Sequence, residues 1–472
     1  MANSRRAGRQ GTFILLAIQE RYGDHKTDGT DYIPFRFSPT LLRLDPDGEQ
    51  ARSATIVSGG SDSLNIPGLL TAGGRWEGEM LPQLLPYLLV GAFNPTTTPT
   101  SVLLAETAIQ SATAYTAGTA IDDFDSSATK KHEPDEVDGF RMPAPVEFTF
   151  SAALTEGMVR LEGFRQTARP DRRRRKFVEM IPITGQTVVS KTHVREITSF
   201  TVTGAANGTA ALKFVPDRYK TTLKINDTSE QFAGYSCVYG KGGRAGTAFD
   251  VIPNLIEFRF SNEMRFAADL IASFAEFNRL PADIHTEVLG FPSTGGQAAF
   301  QLSEFPEPQL NFFPSWGRAL TIGDDTEPTA LNDLTIRVNN NYVAPEGATG
   351  DIYAGQPEVG GEGFRQTTLD FETPFISGSE QSDTFKRWQE LYLDNKQESF
   401  EMRSYNYLSN GEMFLIQINH PRLQLTEFPN IDVDSPAQIN RRIAGKCVPS
   451  EGAVAPDEIE VIIWDKNQYP QS

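Results

Sequence analysis

One pattern occurs twice in this chain of 472 residues, and it limits the fold more than any other feature. The first copy, Gly73-Gly74-Arg75-Trp76-Glu77-Gly78-Glu79-Met80, leads into Leu81, Leu84, Leu85, Leu88 and Leu89 at helical spacing. The second, Gly360-Gly361-Glu362-Gly363-Phe364-Arg365, leads into a strand through Phe371 and then a helix carrying Phe385, Trp388 and Tyr392. Each copy reads as glycines, a half-buried strand and an amphipathic helix. Trp76, Leu84, Leu88, Phe364, Phe385 and Trp388 are the core positions expected to be equivalent between the copies. The helix of the first copy is expected from about 80 to 91, with Pro82 in its first turn, Pro86 shortening or straining it, and Gly91 ending it.

The order of elements extends the repeat. Leu334-Thr335-Ile336-Arg337-Val338 precedes the second copy much as a strand around Phe35 and Phe37 precedes the first. Phe35-Arg36-Phe37-Ser38 also recurs verbatim at 258–261, but its distance to the glycine unit differs, so it carries little weight. Residues 45–74 read as turn-rich.

Between the copies the pattern changes to regular short strands: 146–150, 157–164, 176–183, 194–203, 210–215 and 219–224. Asn207-Gly208 reads as a hairpin turn between two of them. Six strands in so short a stretch predict a small sandwich of immunoglobulin-like type, without the Cys-Trp-Cys signature of antibody domains. The Thr-, Ser- and Ala-rich segment 94–138 reads as a long loop or linker, expected either to reach another subunit or to be mobile. The expected fold is mainly β, divided at 1–140, 141–225 and 226–472. With 39 Gly and 30 Pro, the composition favours many short strands and turns.

Charge is distributed unevenly. Residues 141–224 carry 15 Lys+Arg against 7 Asp+Glu, a net of +8, which leaves −26 for the rest of a chain whose net charge is −18. General attraction to nucleic acid is not expected of such a surface. The strongest cluster is Arg169 followed by Arg172, Arg173, Arg174, Arg175 and Lys176, placed to project from a hairpin. No aromatic residues interleave with it, so contact with an acidic neighbour or plain exposure is favoured over nucleic acid.

Catalytic motifs are missing. The histidines (His25, His132, His193, His285, His420) show no metal-ligand spacing. Gly240-Lys241-Gly242-Gly243-Arg244-Ala245-Gly246-Thr247 lacks the Gly-Lys-Ser/Thr ending of a phosphate loop and reads as a basic glycine turn. There is no nucleophile elbow. No catalytic, cofactor or metal residue is expected, and the chain is read as a building block rather than an enzyme. Cys237 and Cys447 cannot form a disulfide framework, which suits a reducing compartment. The apolar run Phe13–Ile18 is too short for a signal peptide, and no stretch reaches the length of a membrane helix.

These residues resemble the major tail tube proteins of long-tailed bacteriophages. The opening Ala7-Gly8-Arg9 through Ala17-Ile18-Gln19-Glu20-Arg21-Tyr22-Gly23, the unit Gly74 to Gly91, and the elements Leu334 to Asn340 and Phe364 to Trp388 are similar to that family's order of arm, strand and helix. Val159 to Gly163, Glu179 to Ile183 and Val194 to Gly204 resemble the immunoglobulin-like module of many phage tail proteins, with the arginine run replacing its usual polar hairpin.

The resemblance implies two tail-tube β-sandwich or barrel domains, each with a flanking helix, and an immunoglobulin-like β-sandwich between them on the tube exterior. It implies a structural virion protein, assembled in the host bacterial cytoplasm. Self-association into trimeric, pseudo-hexameric rings would stack into a tube, with other tail proteins as partners. DNA would pass through an acidic lumen without specific binding. No cofactor and no membrane enter the reading. Two alternatives stay open: a monomeric carbohydrate-binding or glycosidase-like β-sandwich protein, and another virion protein such as a tail terminator or decoration protein.

Overall fold

The structure is a computed structural model. It describes residues 13–19, 23–26, 32–35, 43–52, 65–80, 82, 85–93, 101–124, 132–137, 140–165, 175–224, 234–241, 244–261, 264–272, 274–279, 318–323, 333–343, 358–359, 365–374, 381–408, 410–428, 440–448, 459–466 and 469. The described chain is mainly β, with two short helices.

The first third holds β1 (Phe13–Ile18), β2 (Ile33–Phe35), β3 (Arg43–Arg52), β4 (Asn65–Glu79), α1 (Leu85–Phe93) and β5 (Ser101–Leu103). Then follow β6 (Thr107–Tyr115), β7 (Ala120–Ile121), β8 (Val146–Phe150), β9 (Met158–Arg165), β10 (Arg175–Pro182), β11 (Thr187–Val189), β12 (Glu196–Thr203) and β13 (Gly208–Phe214). The next strands are β14 (Tyr219–Lys224), β15 (Tyr235–Lys241), β16 (Arg244–Phe260), β17 (Arg265–Ala272), β18 (Phe274–Arg279), β19 (Arg318–Ile322) and β20 (Asp333–Asn339). The chain ends with β21 (Tyr342–Val343), β22 (Glu358–Val359), β23 (Gln366–Pro374), α2 (Gln381–Leu393), β24 (Gln397–Tyr407), β25 (Met413–Glu427), β26 (Asn440–Cys447) and β27 (Glu460–Asp465).

Strand alternation explains the layers. On β20, Leu334, Ile336 and Val338 are fully buried, while Thr335, Arg337 and Asn339 lie on the opposite face. Each such apolar side chain contributes roughly 1.5–3 kcal/mol on burial. One antiparallel sheet runs in the order β3-β4-β17-β16-β20-β23-β26-β25. Within it, the order β3-β4-β17-β16 is matched by β20-β23-β26-β25.

The match continues into a second layer. The first half of β16 pairs with β15 on one side and β18 on the other, and β1 lies beyond β15. The first half of β25 pairs with β24 and β27, and β19 lies beyond β24. In both halves, a strand pair is followed by a helix after β4 or β23. The structure thus holds two units with the same pairing scheme, sharing one apolar core.

Residues 107–214 interrupt the first unit after its helix. Two four-stranded sheets, β10-β9-β12-β7 and β11-β8-β13-β6, enclose a separate core that includes Phe148, Phe150, Leu161, Phe200 and Phe214. The chain enters and leaves this sandwich through β5 and β14, which pair with each other.

Several expectations are corrected. The stretch read as a loop over 94–138 contains β5, β6 and β7, because its Thr, Ser and Ala residues alternate across a sheet without strong hydrophobic contrast. The strand 219–224 belongs to the second unit, paired with β27 and β5. Asn207-Gly208 connects strands of different sheets rather than a hairpin; Asn207 Oδ1 accepts from the Ala117 N–H at 2.9 Å. Residues 45–74, expected to be turns, supply most of the β3–β4 pair.

The first helix starts at Leu85 rather than near 80, so that Pro86 falls in its first turn, where a missing N–H costs nothing. Gly91 lies inside the helix rather than at its end. The Tyr235 hydroxyl wedges into the turn there, accepting from the Gly91 N–H at 2.7 Å and donating to the Tyr87 carbonyl. A Cβ at Gly91 would sit 2.4 Å from the Tyr235 ring, which explains the glycine.

Candidate assembly interface

The two sides of the eight-stranded sheet have different chemistry. One side carries Trp76, Phe258, Phe266, Ile336, Leu369 and Phe371 into the core. The other bears Arg75, Arg259, Arg265, Arg337, Arg442 and Lys446 among Glu77, Glu257, Asp269, Asp333, Asp370 and Glu372. These charges interlock. Arg75 lies 2.8 Å from Asp269, Arg265 is 3.3 Å from Glu77, Arg337 is 2.7 Å from Glu257, and Arg442 is 2.5 Å from Asp370. Glu257 also pairs with Arg259. Burial alone would raise its carboxyl, but the Arg337 and Arg259 hydrogen bonds and charges outweigh that and hold it below the ordinary value. Glu427 adds a seventh carboxylate near Arg442, so among the described residues the two signs are close to balance on this face.

The sheet ends in two incompletely paired edges. Among the described residues β3 pairs only with β4. The last residues of β25, Leu425 to Glu427, pair only with β26 among the described residues. The corresponding part of β16 is covered: Leu255 to Phe260 pair with β20 of the second unit. Sequence reasoning missed these edges, since each depends on pairings between distant segments.

The expected core equivalents divide. Trp76 is buried on β4 beside Tyr235, with ring centroids 5.7 Å apart. Leu88 is buried in α1. Trp388 is buried in α2 and meets the edge of Phe371 at 5.4 Å. Leu84 and Phe364 lie outside the described residues; Phe385 is in α2, but its side chain lies outside them too. Trp76 stands fourth from the end of β4, and it is Phe371, not Phe364, that stands fourth from the end of β23.

The sandwich is bolted to the second unit. Arg218 is completely buried; its Nε donates to the Met413 carbonyl at 2.9 Å, and its guanidinium lies 5.0 Å from the Phe414 ring centroid. Its Nη2 sits 2.6 Å from Glu412 Oε1, close but poorly aligned for a hydrogen bond. His193 Nε2 meets Asp217 at 3.0 Å, and the His193 N–H donates to the Asn410 carbonyl at 2.9 Å. Burial opposes the Asp217 charge, but His193 and Arg218 outweigh it and lower its pKa. Gly411, at φ 86°, lets the β24–β25 turn pass so close that a Cβ would meet the His193 carbonyl at 2.5 Å.

Of the arginine run, Arg175 and Lys176 begin β10 and are exposed. Arg169, Arg172, Arg173 and Arg174 lie outside the described residues. Counted over 107–214, the sandwich carries 14 Lys+Arg against 13 Asp+Glu, so its basic residues are offset by the acidic residues between 122 and 138. No cluster of described residues could hold a metal ion, and no described helix is long and apolar enough to cross a membrane. Compared with known proteins, the sequence matches no family model and no curated protein.

Proposed function

We propose that this chain is the building block of a phage tail tube, each chain supplying two tube domains and an external immunoglobulin-like module. The observation that carries the reading is the repeated order of the eight-stranded sheet. Its first four strands join the next four through β16 and β20. The same junction repeated between chains would bring the end of β25 onto β3 of a neighbour. Three chains then present six equivalent units around an axis, and closure covers both edges.

The polar face of the sheet would line the lumen. Its interlocked charges leave few unpaired cations to hold phosphate, which suits passage of DNA without specific binding. The sandwich, set off by the β5–β14 ribbon, would stand on the outside, and the mature particle would be the virion. The rival reading, a monomeric carbohydrate-binding or glycosidase-like protein, draws no support from a described site of suitable chemistry.

Electron microscopy of the purified chain tests the proposal. Hollow tubes built from rings of three chains are the expected result. Rings of six chains would keep the tube but remove the pairing of two units per chain. A monomer at high concentration, by sedimentation, would overturn the proposal.

A further inference from the structure

The sheet β10-β9-β12-β7 has two contrasting edges. β10 pairs only with β9 among the described residues. Its register sets Pro182 beside Met158, Met180 beside Arg160, and Val178 beside Glu162, all on the outer face. Val178, Met180 and Met158 are 50%, 47% and 38% exposed. Arg175, Lys176 and Pro182 protect the two ends of this edge in the usual way, but its middle presents apolar side chains. Lys176 and Arg160 flank them, both within reach of Glu162 at 3.7 and 2.9 Å, and Arg175 adds a further exposed cation. Two of these three cations share one carboxylate, and Glu179, the other carboxylate of β10, is taken up by the Lys191 and Thr192 N–H groups, so the β10 edge is apolar in its middle with a small excess of positive charge.

The opposite edge is β7, which among the described residues pairs only with β12 through Ala120 and Ile121. Asp122 and Asp123 follow directly, and both are exposed. One sheet thus presents a basic, apolar border and an acidic border on opposite sides.

We infer that the β10 edge of one copy docks against the β7–Asp123 edge of a second copy, making a head-to-tail contact between sandwiches. Charge complementarity selects this occupant, because a partner matching the β10 edge is already carried by the chain itself. The contact is heterologous, with different surfaces meeting, and therefore propagates around a ring or along a stack. It does not require the tube reading and can be measured in solution whether or not tubes form.

Two charge-reversed full-length variants test it: Arg175→Glu with Lys176→Glu, and Asp122→Lys with Asp123→Lys. Self-association is read by sedimentation at low ionic strength, with circular dichroism and Tm confirming that both variants fold. Each alone is expected to associate at least tenfold more weakly than the unaltered chain. An equimolar mixture is expected to recover association, since each reversed edge then meets an opposite charge. A cysteine pair, Val178→Cys with Ala120→Cys, is expected to cross-link between copies and not within one. The inference is overturned if the unaltered chain does not self-associate, if neither variant weakens association, or if two folded variants fail to rescue each other.

Discussion

The two helices occupy matching places in their units, yet they meet different surroundings. All nine residues of α1 are buried. Its cover comes from both units: Tyr235 and β16 of the first hold one side, and the second unit and Tyr469 add the rest. Asn340 Nδ2 donates to the Ala92 carbonyl at 3.1 Å and to the Pro253 carbonyl at 2.8 Å, and Tyr469 meets Tyr87 edge-on at 4.5 Å. Along α2, by contrast, Lys386, Gln389, Glu390 and Leu393 face solvent, and Leu393 is 65% exposed. The first helix therefore displays, within one chain, what a neighbouring unit does to such a helix. On the ring reading, α2 acquires comparable cover from the next chain.

The largest effect should come from a feature that only the second unit has. Replacing Arg218 by Met removes the cation between Glu412 and Asp217 while roughly keeping its volume. Among the described residues Glu412 then keeps only Lys466 at 4.0 Å and the Asn410 amide at 3.3 Å; breaking a buried pair costs about 3 kcal/mol at the low end, and denaturant unfolding should show a loss of that order. A loss below about 1 kcal/mol, the range of exposed pairs, would mean that the sandwich is not held by this network.

The next two substitutions address α1 directly. Gly91→Ala forces a methyl group into the Tyr235 ring, and overpacking of this kind costs about 1–3 kcal/mol. Asn340→Ala strips partners from the buried Ala92 and Pro253 carbonyls and should cost about 1–3 kcal/mol. The matching test on α2 is Leu393→Glu. Chain stability should stay within about 0.5 kcal/mol, as for most exposed sites, while assembly into rings weakens by sedimentation. Unchanged assembly would break the equivalence of the two helices.

How much of this could be read from the sequence follows from how local each signal is. Val146–Phe150 and Tyr219–Lys224 were bounded correctly because apolar and polar residues alternate within a single strand. The partners of Tyr219–Lys224 were not legible, since β27 lies more than two hundred residues further on. Thr107–Tyr115 was missed because small polar residues serve both faces of its strand. Gly91 announced a helix end by the ordinary rule, but its purpose was set by a tyrosine distant in sequence. The free edges of the sheet, on which the assembly reading turns, are properties of pairing order alone, and no single segment encodes them.

A modest, pH-dependent effect is expected at the joint between the units. Glu257 on β16 grips Arg337 on β20, and Arg259 shares the carboxylate. Its pKa is below the ordinary 4.5 in the folded chain, so folding favours the ionised form. The resulting stability is fully present above the unfolded value. It is lost as pH falls below 4.5 and on through the lowered folded value. Arg259 and Arg337 are 44% and 39% exposed, and water therefore screens the pair. Glu257→Gln should accordingly cost about 1 kcal/mol or less at neutral pH. The gap between the two proteins should close under acid, because the native glutamic acid is then uncharged as well. Urea titrations at pH values above and below 4.5 measure this. A gap that stays constant with pH would show that packing, not charge, is what Glu257 contributes to the joint. On the ring reading, the same pair of titrations followed by sedimentation would separate the joint within a chain from the proposed junction between chains, since only the former contains Glu257 and Arg337 together.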